Sequence, residues 1–184
     1  MNDLMDLHTH TIASGHAYST LSENIRAAAD AGLALYGCSD HAPKMAGTTH
    51  SSYFINFKVI PRVRGGVHVL MGAELNILDS SGAVDLPPSI LGKLDYAIAS
   101  LHTPCFVPGT MEENTQAYVN AMKNPAVTII GHPDDGRYPV DYETFVKGAK
   151  TYKKLVEVNS SSLSPRSVRK GAAENYQVLL KYSR

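Results

Sequence analysis

The fold is decided by the stretch Leu4-Met5-Asp6-Leu7-His8-Thr9-His10. A short apolar run that closes on polar residues reads as a buried strand. Residues i and i+2 of a strand point the same way, so His8 and His10 are placed as neighbouring ligands for one ion. The design recurs along the chain. Leu35–Cys38 runs into Ser39-Asp40-His41, Val67–Ala73 ends at Glu74, Tyr96–Leu101 at His102, and Val127–Gly131 at His132. Parallel strands deliver the residues at their C-terminal ends to one face of a sheet or barrel. A single His-x-His, or a single histidine after an apolar run, has an ordinary structural explanation. Ligand-type side chains at the same end of all these runs are accounted for together by a metal centre.

Helix signals fill the gaps between the runs. Thr20-Leu21-Ser22-Glu23 has capping-box spacing, and Gly32 is a natural stop for the helix it opens. Glu112–Lys123 reads as a helix ended by Asn124-Pro125, and Asp141 caps another through Lys150. Leu155–Asn159 reads as a sixth strand, and Ser164-Pro165 as the start of a last helix running to the end. Ser51–Val63 stays open between helix and loop. Six βα units in sequence predict a parallel sheet with right-handed crossovers, and a barrel rather than an open sheet, because a barrel brings all the strand ends to one mouth. Neither a repeat nor a linker divides residues 1–184, so one domain is expected.

The 184 residues carry 17 Lys or Arg against 17 Asp or Glu, so no basic field points to a nucleic-acid backbone. The charge is uneven: residues 141–184 hold nine basic and four acidic side chains, which leaves an acidic front where most histidines lie. Cys38 and Cys105 fit neither a CxxC nor a zinc-finger spacing, and without a disulfide framework they suit a reducing compartment. The N-terminus lacks a signal-peptide pattern and no apolar stretch is long enough for a bilayer. A cytoplasmic protein is expected.

The residues around the strand ends suggest supporting roles. Asp6 alternates with His8 and is expected to orient it, and Asp40 to fix the tautomer of His41. Glu74 closes the apolar run Val-Leu-Met-Gly-Ala-Glu, where a carboxylate is costly unless it is paired or bound to a cation. An ion pair with Arg62 is one explanation, and a carboxylate bridging two metals is the other. His16, in the loop after the first strand, is placed to join His41 at a separate ion. Histidines and carboxylates without thiolates suit zinc, manganese or iron. Two or three such ions bring a bound water toward neutral pKa and clamp a displacement at phosphorus.

These residues resemble the polymerase and histidinol phosphatase (PHP) family. The resemblance is carried by DLHTH (6–10), SGHAYST (14–20), SDHAP (39–43), GAELNI (72–77), SLHTP (100–104), GHP (131–133) and EVNSSS (157–162). SGHAYST and NTQAY (114–118) are closer to the stand-alone phosphatase branch than to polymerase-attached domains. The resemblance implies a distorted (β/α)7 TIM-like barrel, a zinc-containing site of up to three ions, and hydrolysis of phosphate esters by a metal-activated hydroxide. It implies that His8, His10 and Glu74 hold one metal, Glu74 with His102 and His132 a second, and His16 with His41 a third. Arg62 and Arg169 are the expected phosphate contacts of a small phosphorylated substrate. The family pattern continues to a seventh strand with an Asp-x-His, and none occurs after residue 160. On that reading the chain is truncated, its unfinished barrel edge open to self-association. A metal-binding but inactive domain and a PHP-type nuclease are the alternatives. Hydrolysis of C–N bonds in an amidohydrolase-type barrel fits less well, because those enzymes use a different ligand order.

Overall fold

The computed structural model describes residues 4–183, in two compact units. The first comprises residues up to Leu75 together with Asp85–Ile98. It opens with β1 (Met5–Thr9), and α1 (Leu21–Asp30) follows. Thr20 and Glu23 form the reciprocal capping box that the sequence predicts, and α1 turns Ile25 and Ala28 into the core. Strand β2 (Leu35–Cys38) pairs with β1 in parallel. The open stretch after it resolves into a short helix α2 (Ser51–Ile55) and a 3₁₀ turn (Asn56–Val59), which bury Phe54 and Phe57.

Strands β3 (Val63–Arg64) and β4 (Val67–Met71) depart from the all-parallel expectation. They form an antiparallel hairpin with Val63 opposite His68, while β4 lies parallel to β2. The turn is Gly65-Gly66, both at positive φ (58° and 82°). A two-residue hairpin turn whose twist matches its strands needs that conformation at both positions, and glycine adopts it without a steric penalty. The first sheet therefore has the order β1-β2-β4-β3.

Strand β5 (Ala73–Asn76) follows after Gly72. His41 bridges Glu74 in parallel register, and Ala42 N–H donates to the Glu74 carbonyl, so the segment after β2 is laced to β5. After α3 (Pro88–Leu91) comes β6 (Ala97–Ser100). Just before it, Tyr96 donates to the Leu7 carbonyl at 2.6 Å. A Cβ at Gly37 or Gly72 would run into Tyr96, which explains glycine at both positions.

The second unit comprises Asn76–Val84 and residues from Ala99 on. Helix α4 (Met111–Met122) starts from a capping box of Thr110 and Glu113. Strand β7 (Ile129–Ile130), helix α5 (Tyr142–Tyr152), strand β8 (Leu155–Val156) and helix α6 (Ala172–Ser183) complete it. Asp141 caps α5 as the sequence predicts. The second sheet has the order β5-β6-β7-β8, with β7 and β8 parallel. Two boundaries move. The sixth expected strand shrinks to Leu155–Val156, and the last helix begins at Ala172, not Ser164. Between them Ser160–Leu163 is a 3₁₀ turn. There Asn159, Ser164 and Ser167 side chains accept backbone N–H groups two residues on, a local bond that competes with helix. Arg184 lies outside the described residues.

The capping box of α1 lends itself to a direct test. Thr20→Ala should cost about 1 kcal/mol and lower the thermal midpoint by about 2–4 °C, with the secondary structure seen by circular dichroism retained.

Candidate metal centre

Four imidazoles and one carboxylate converge in the first unit. Glu74 is 1% exposed on β5. Its Oε1 stands 3.2 Å from His8 Nε2, and its Oε2 lies 3.4 Å from His10 Nε2 and 2.9 Å from His41 Nδ1. His16 joins from the loop after β1. Its ring centroid is 5.0 Å from that of His10 and 4.9 Å from that of His41. His10, His16 and His41 each bring a ring nitrogen within 4.8 Å of the others, a spacing that can hold one ion. The two carboxylate oxygens of Glu74 thus face different histidines, the disposition a bridging ligand needs.

What holds this arrangement is Asp40, fully buried just after β2. Its carboxylate accepts the Thr11 N–H (2.7 Å) and the hydroxyls of Thr11 (2.8 Å), Ser14 (2.7 Å) and Tyr53 (2.8 Å), with the Cys38 thiol at 3.4 Å. Burial pushes this carboxyl up, but the bonds from Ser14, Thr11 and Tyr53 outweigh it and hold it below the ordinary carboxylate value. The expected role beside the His41 ring is corrected. Asp40 organises the loop that carries His16, and it reaches His41 through Ser14 Oγ, which accepts the His41 backbone N–H at 3.0 Å.

Ser14 also settles a tautomer. A hydroxyl has one hydrogen, and an ionised carboxylate can only accept, so that hydrogen goes to Asp40. Ser14 Oγ must then accept from His10 Nδ1 at 3.0 Å, which leaves a lone pair on His10 Nε2. The carbonyl of Ser14 fixes His16 in the same way, accepting from its Nδ1 at 3.0 Å. Burial, aided by neighbouring His41, His8 and His16 and only partly offset by Glu74, drives the His10 pKa down to about 3, so the ring is neutral at pH 7. The lone pair of His10 Nε2 therefore faces a carboxylate oxygen at 3.4 Å. Two acceptors repel across such a contact, and a cation between them removes the repulsion. The donor set fits a divalent metal.

The second unit carries a smaller group. His102 follows β6 and His132 follows β7, with ring centroids 5.3 Å apart. Asn76 Oδ1 accepts from His102 Nδ1 at 2.8 Å and so presents its Nε2 outward. His132 sits at φ +27°, an unusual angle for a side-chain-bearing residue, and its N–H donates to Glu157 Oε2 at 2.7 Å. Glu157 Oε1 accepts from Asn159 Nδ2 at 3.0 Å, and Asn159 Oδ1 in turn accepts from Arg169. Asn76, Glu157 and Asn159 lie within GAELNI and EVNSSS, but apolar runs closed by ligand-type residues do not single them out. The signal was present for Asn76, two residues after Glu74 and so on the same side of the strand.

Two further expectations change. Arg62 is not placed as a phosphate contact. Its Nε pairs with Asp95 at 2.8 Å and its Nη1 donates to the carbonyls of Phe57 and Ile60, so the guanidinium fastens the approach to the β3–β4 hairpin. Asp6 does not orient the His8 ring. It is exposed, and its carboxylate accepts the His8 backbone N–H at 3.1 Å. His50, a loop histidine in sequence terms, caps α2.

Asp40→Asn should cost about 2–3 kcal/mol, since it weakens several bonds to a buried charge. The sign with pH follows from a depressed folded-state pKa. The contribution of Asp40 is full above the unfolded carboxylate pKa of about 4 and fades as pH falls through its lower folded value. Urea denaturation at pH 7 and at pH 3 should show the gap between wild type and Asp40→Asn shrinking at the lower pH.

No protein-family model matches the chain. A probable phosphatase of Thermoanaerobacter sp. (strain X514) is 51% identical over 182 residues, covering 98% of this chain and 74% of that protein. A probable phosphatase of Clostridium novyi (strain NT) is 48% identical over 181 residues, covering 98% and 73%. Among solved structures, the fold matches a histidinol phosphate phosphatase of Lactococcus lactis, crystallised with zinc, L-histidinol and phosphate. The TM-score is 0.63 at 16% identity, covering 98% of this chain and 81% of that one. With half of its residues shared across almost its whole length, the chain belongs to the family of these phosphatases, hydrolases that act on phosphate esters.

Proposed function

We propose that the chain is a metal-dependent phosphoesterase of the PHP type, built on that family's distorted seven-stranded barrel and acting on a small phosphorylated molecule. The observation that carries the reading is the contact of neutral His10 with buried Glu74, which a cation would relieve. In the first unit the ligands are His8, His10, His16, His41 and Glu74, with Glu74 bridging. In the second they are His102 and His132. The fixed Nδ1–H tautomers of His10, His16 and His102 support this, because each leaves Nε2 as a lone-pair donor. Divalent ions held there, zinc first among the candidates, would bring the pKa of a water toward neutrality and draw charge from the phosphoryl oxygens. Arg169 is the phosphate contact. Its Nη1 is anchored on Asn159 and Ser162, and a guanidinium so held offers its remaining N–H groups in a fixed fork. The zero net charge suits a small substrate better than a nucleic acid.

Hydrolysis of p-nitrophenyl phosphate checks the reading. Chelation should abolish it and zinc or manganese should restore it. Glu74→Gln should lower kcat at least about 100-fold while the circular dichroism spectrum is kept. Full turnover by a chelated Glu74→Gln protein would end the proposal.

A further inference from the structure

Between β8 and α6 the chain folds around a cleft of about 340 Å³ that extends from Arg169, the phosphate contact proposed above, to residues with no part in that site. It is lined by Ser161, Ser164, Arg166, Ser167, Val168 and Arg169. No carboxylate lines it. Arg166 is exposed, and its guanidinium has no hydrogen-bond or ion-pair partner among the described residues. Arg169 spends only Nη1 on the protein, which leaves Nε and Nη2 available. Arg137 is the main counter-ion of Asp135, holding that carboxylate through Nε (2.9 Å) and Nη2 (2.6 Å), and Arg169 adds a weaker attraction without a hydrogen bond to it.

The serines are arranged in the same sense. Ser164 Oγ accepts the Arg166 N–H and Ser167 Oγ accepts the Arg169 N–H. Each hydroxyl thereby uses an acceptor site on its own backbone and keeps its hydrogen for something else. The lining thus consists of two guanidinium forks and hydroxyl donors around a single valine. Such a surface matches an anion with several acceptor oxygens. The cleft is also tied to the second unit's histidines. Hydrogen bonds run from Arg169 to Asn159, from Asn159 to Glu157, and from the His132 N–H to Glu157.

We infer that the cleft receives a second anionic group of the substrate, with Arg166 as a specificity-determining residue. The preferred substrate class is then a phosphate ester that carries another phosphate or a carboxylate. This rests on the phosphatase reading for the group that is cleaved and for Arg169, while the recognition of the second anion rests on Arg166 and the hydroxyls of the cleft.

Matched substrate pairs test it. For the full chain with its metals, kcat/KM should be at least tenfold higher for adenosine 3′,5′-bisphosphate than for AMP if the second group is a phosphate. If it is a carboxylate, 3-phosphoglycerate should exceed glycerol 3-phosphate by a similar factor. Arg166→Gln should bring the favoured ratio close to one, mainly through KM. Ratios near one in the wild type, or a ratio that Arg166→Gln leaves in place, overturn the inference. Equilibrium dialysis with inorganic phosphate supplies a readout that needs no turnover: wild type should bind one equivalent more than Arg166→Gln. Equal binding by the two proteins counts against the cleft. Loss of the extra equivalent in a protein that hydrolyses no phosphate ester supports the cleft and overturns the phosphatase reading instead.

Discussion

The candidate centre depends first on a carboxylate that touches no imidazole. Asp40 is buried and ringed by donors from the loop after β1, from β2 and from α2. An ionised group in such a place is tolerated only when its lone pairs are met. That requirement fixes the Ser14 hydroxyl, and Ser14 fixes both the ring of His10 and the backbone of His41. The tautomer of His10 and the backbone position of His41 are thus set by the protein before any ligand arrives. This is the preorganisation that a metal site needs from its surroundings.

The sequence made the positions of the ligand-type residues legible because each follows an apolar run, and the period of a strand is short and unambiguous. His8 with His10, His41, Glu74, His102 and His132 each stand out in that way as candidates. The supporting residues were harder to read. Asp40 lies directly before His41, and adjacency suggested a bond between their side chains. Successive residues of an extended segment point to opposite sides, however, and the bond goes to the preceding loop instead. Asp6 failed for another reason: alternation with His8 gave the right side but not the nearest donor, which was the backbone N–H two residues on.

The boundaries that moved share a cause. In Asn159–Arg169 short polar side chains accept the backbone N–H groups that a strand or helix would use, so neither element extends into the segment. Helix propensity cannot register that competition. The antiparallel hairpin at Gly65-Gly66, by contrast, was written in the sequence as a glycine pair between two short β-prone stretches. It was obscured only by the assumption that alternating elements imply parallel strands throughout.

The tautomer-setting bonds also determine the charge of the first unit's site. His10 and His16 are oriented by a hydroxyl and a carbonyl, both uncharged acceptors, and Asp40 is already matched by its own donors. Among the described side chains that meet the histidine rings of this unit, only Glu74 brings a negative charge. One divalent ion would leave the set with a surplus of one positive charge, and a second would leave three. Such a centre has an unmet electrostatic demand that water cannot satisfy and an oxyanion can. Affinity for anions is then built into the resting state, and the product of ester cleavage is itself a competitor for the next turnover.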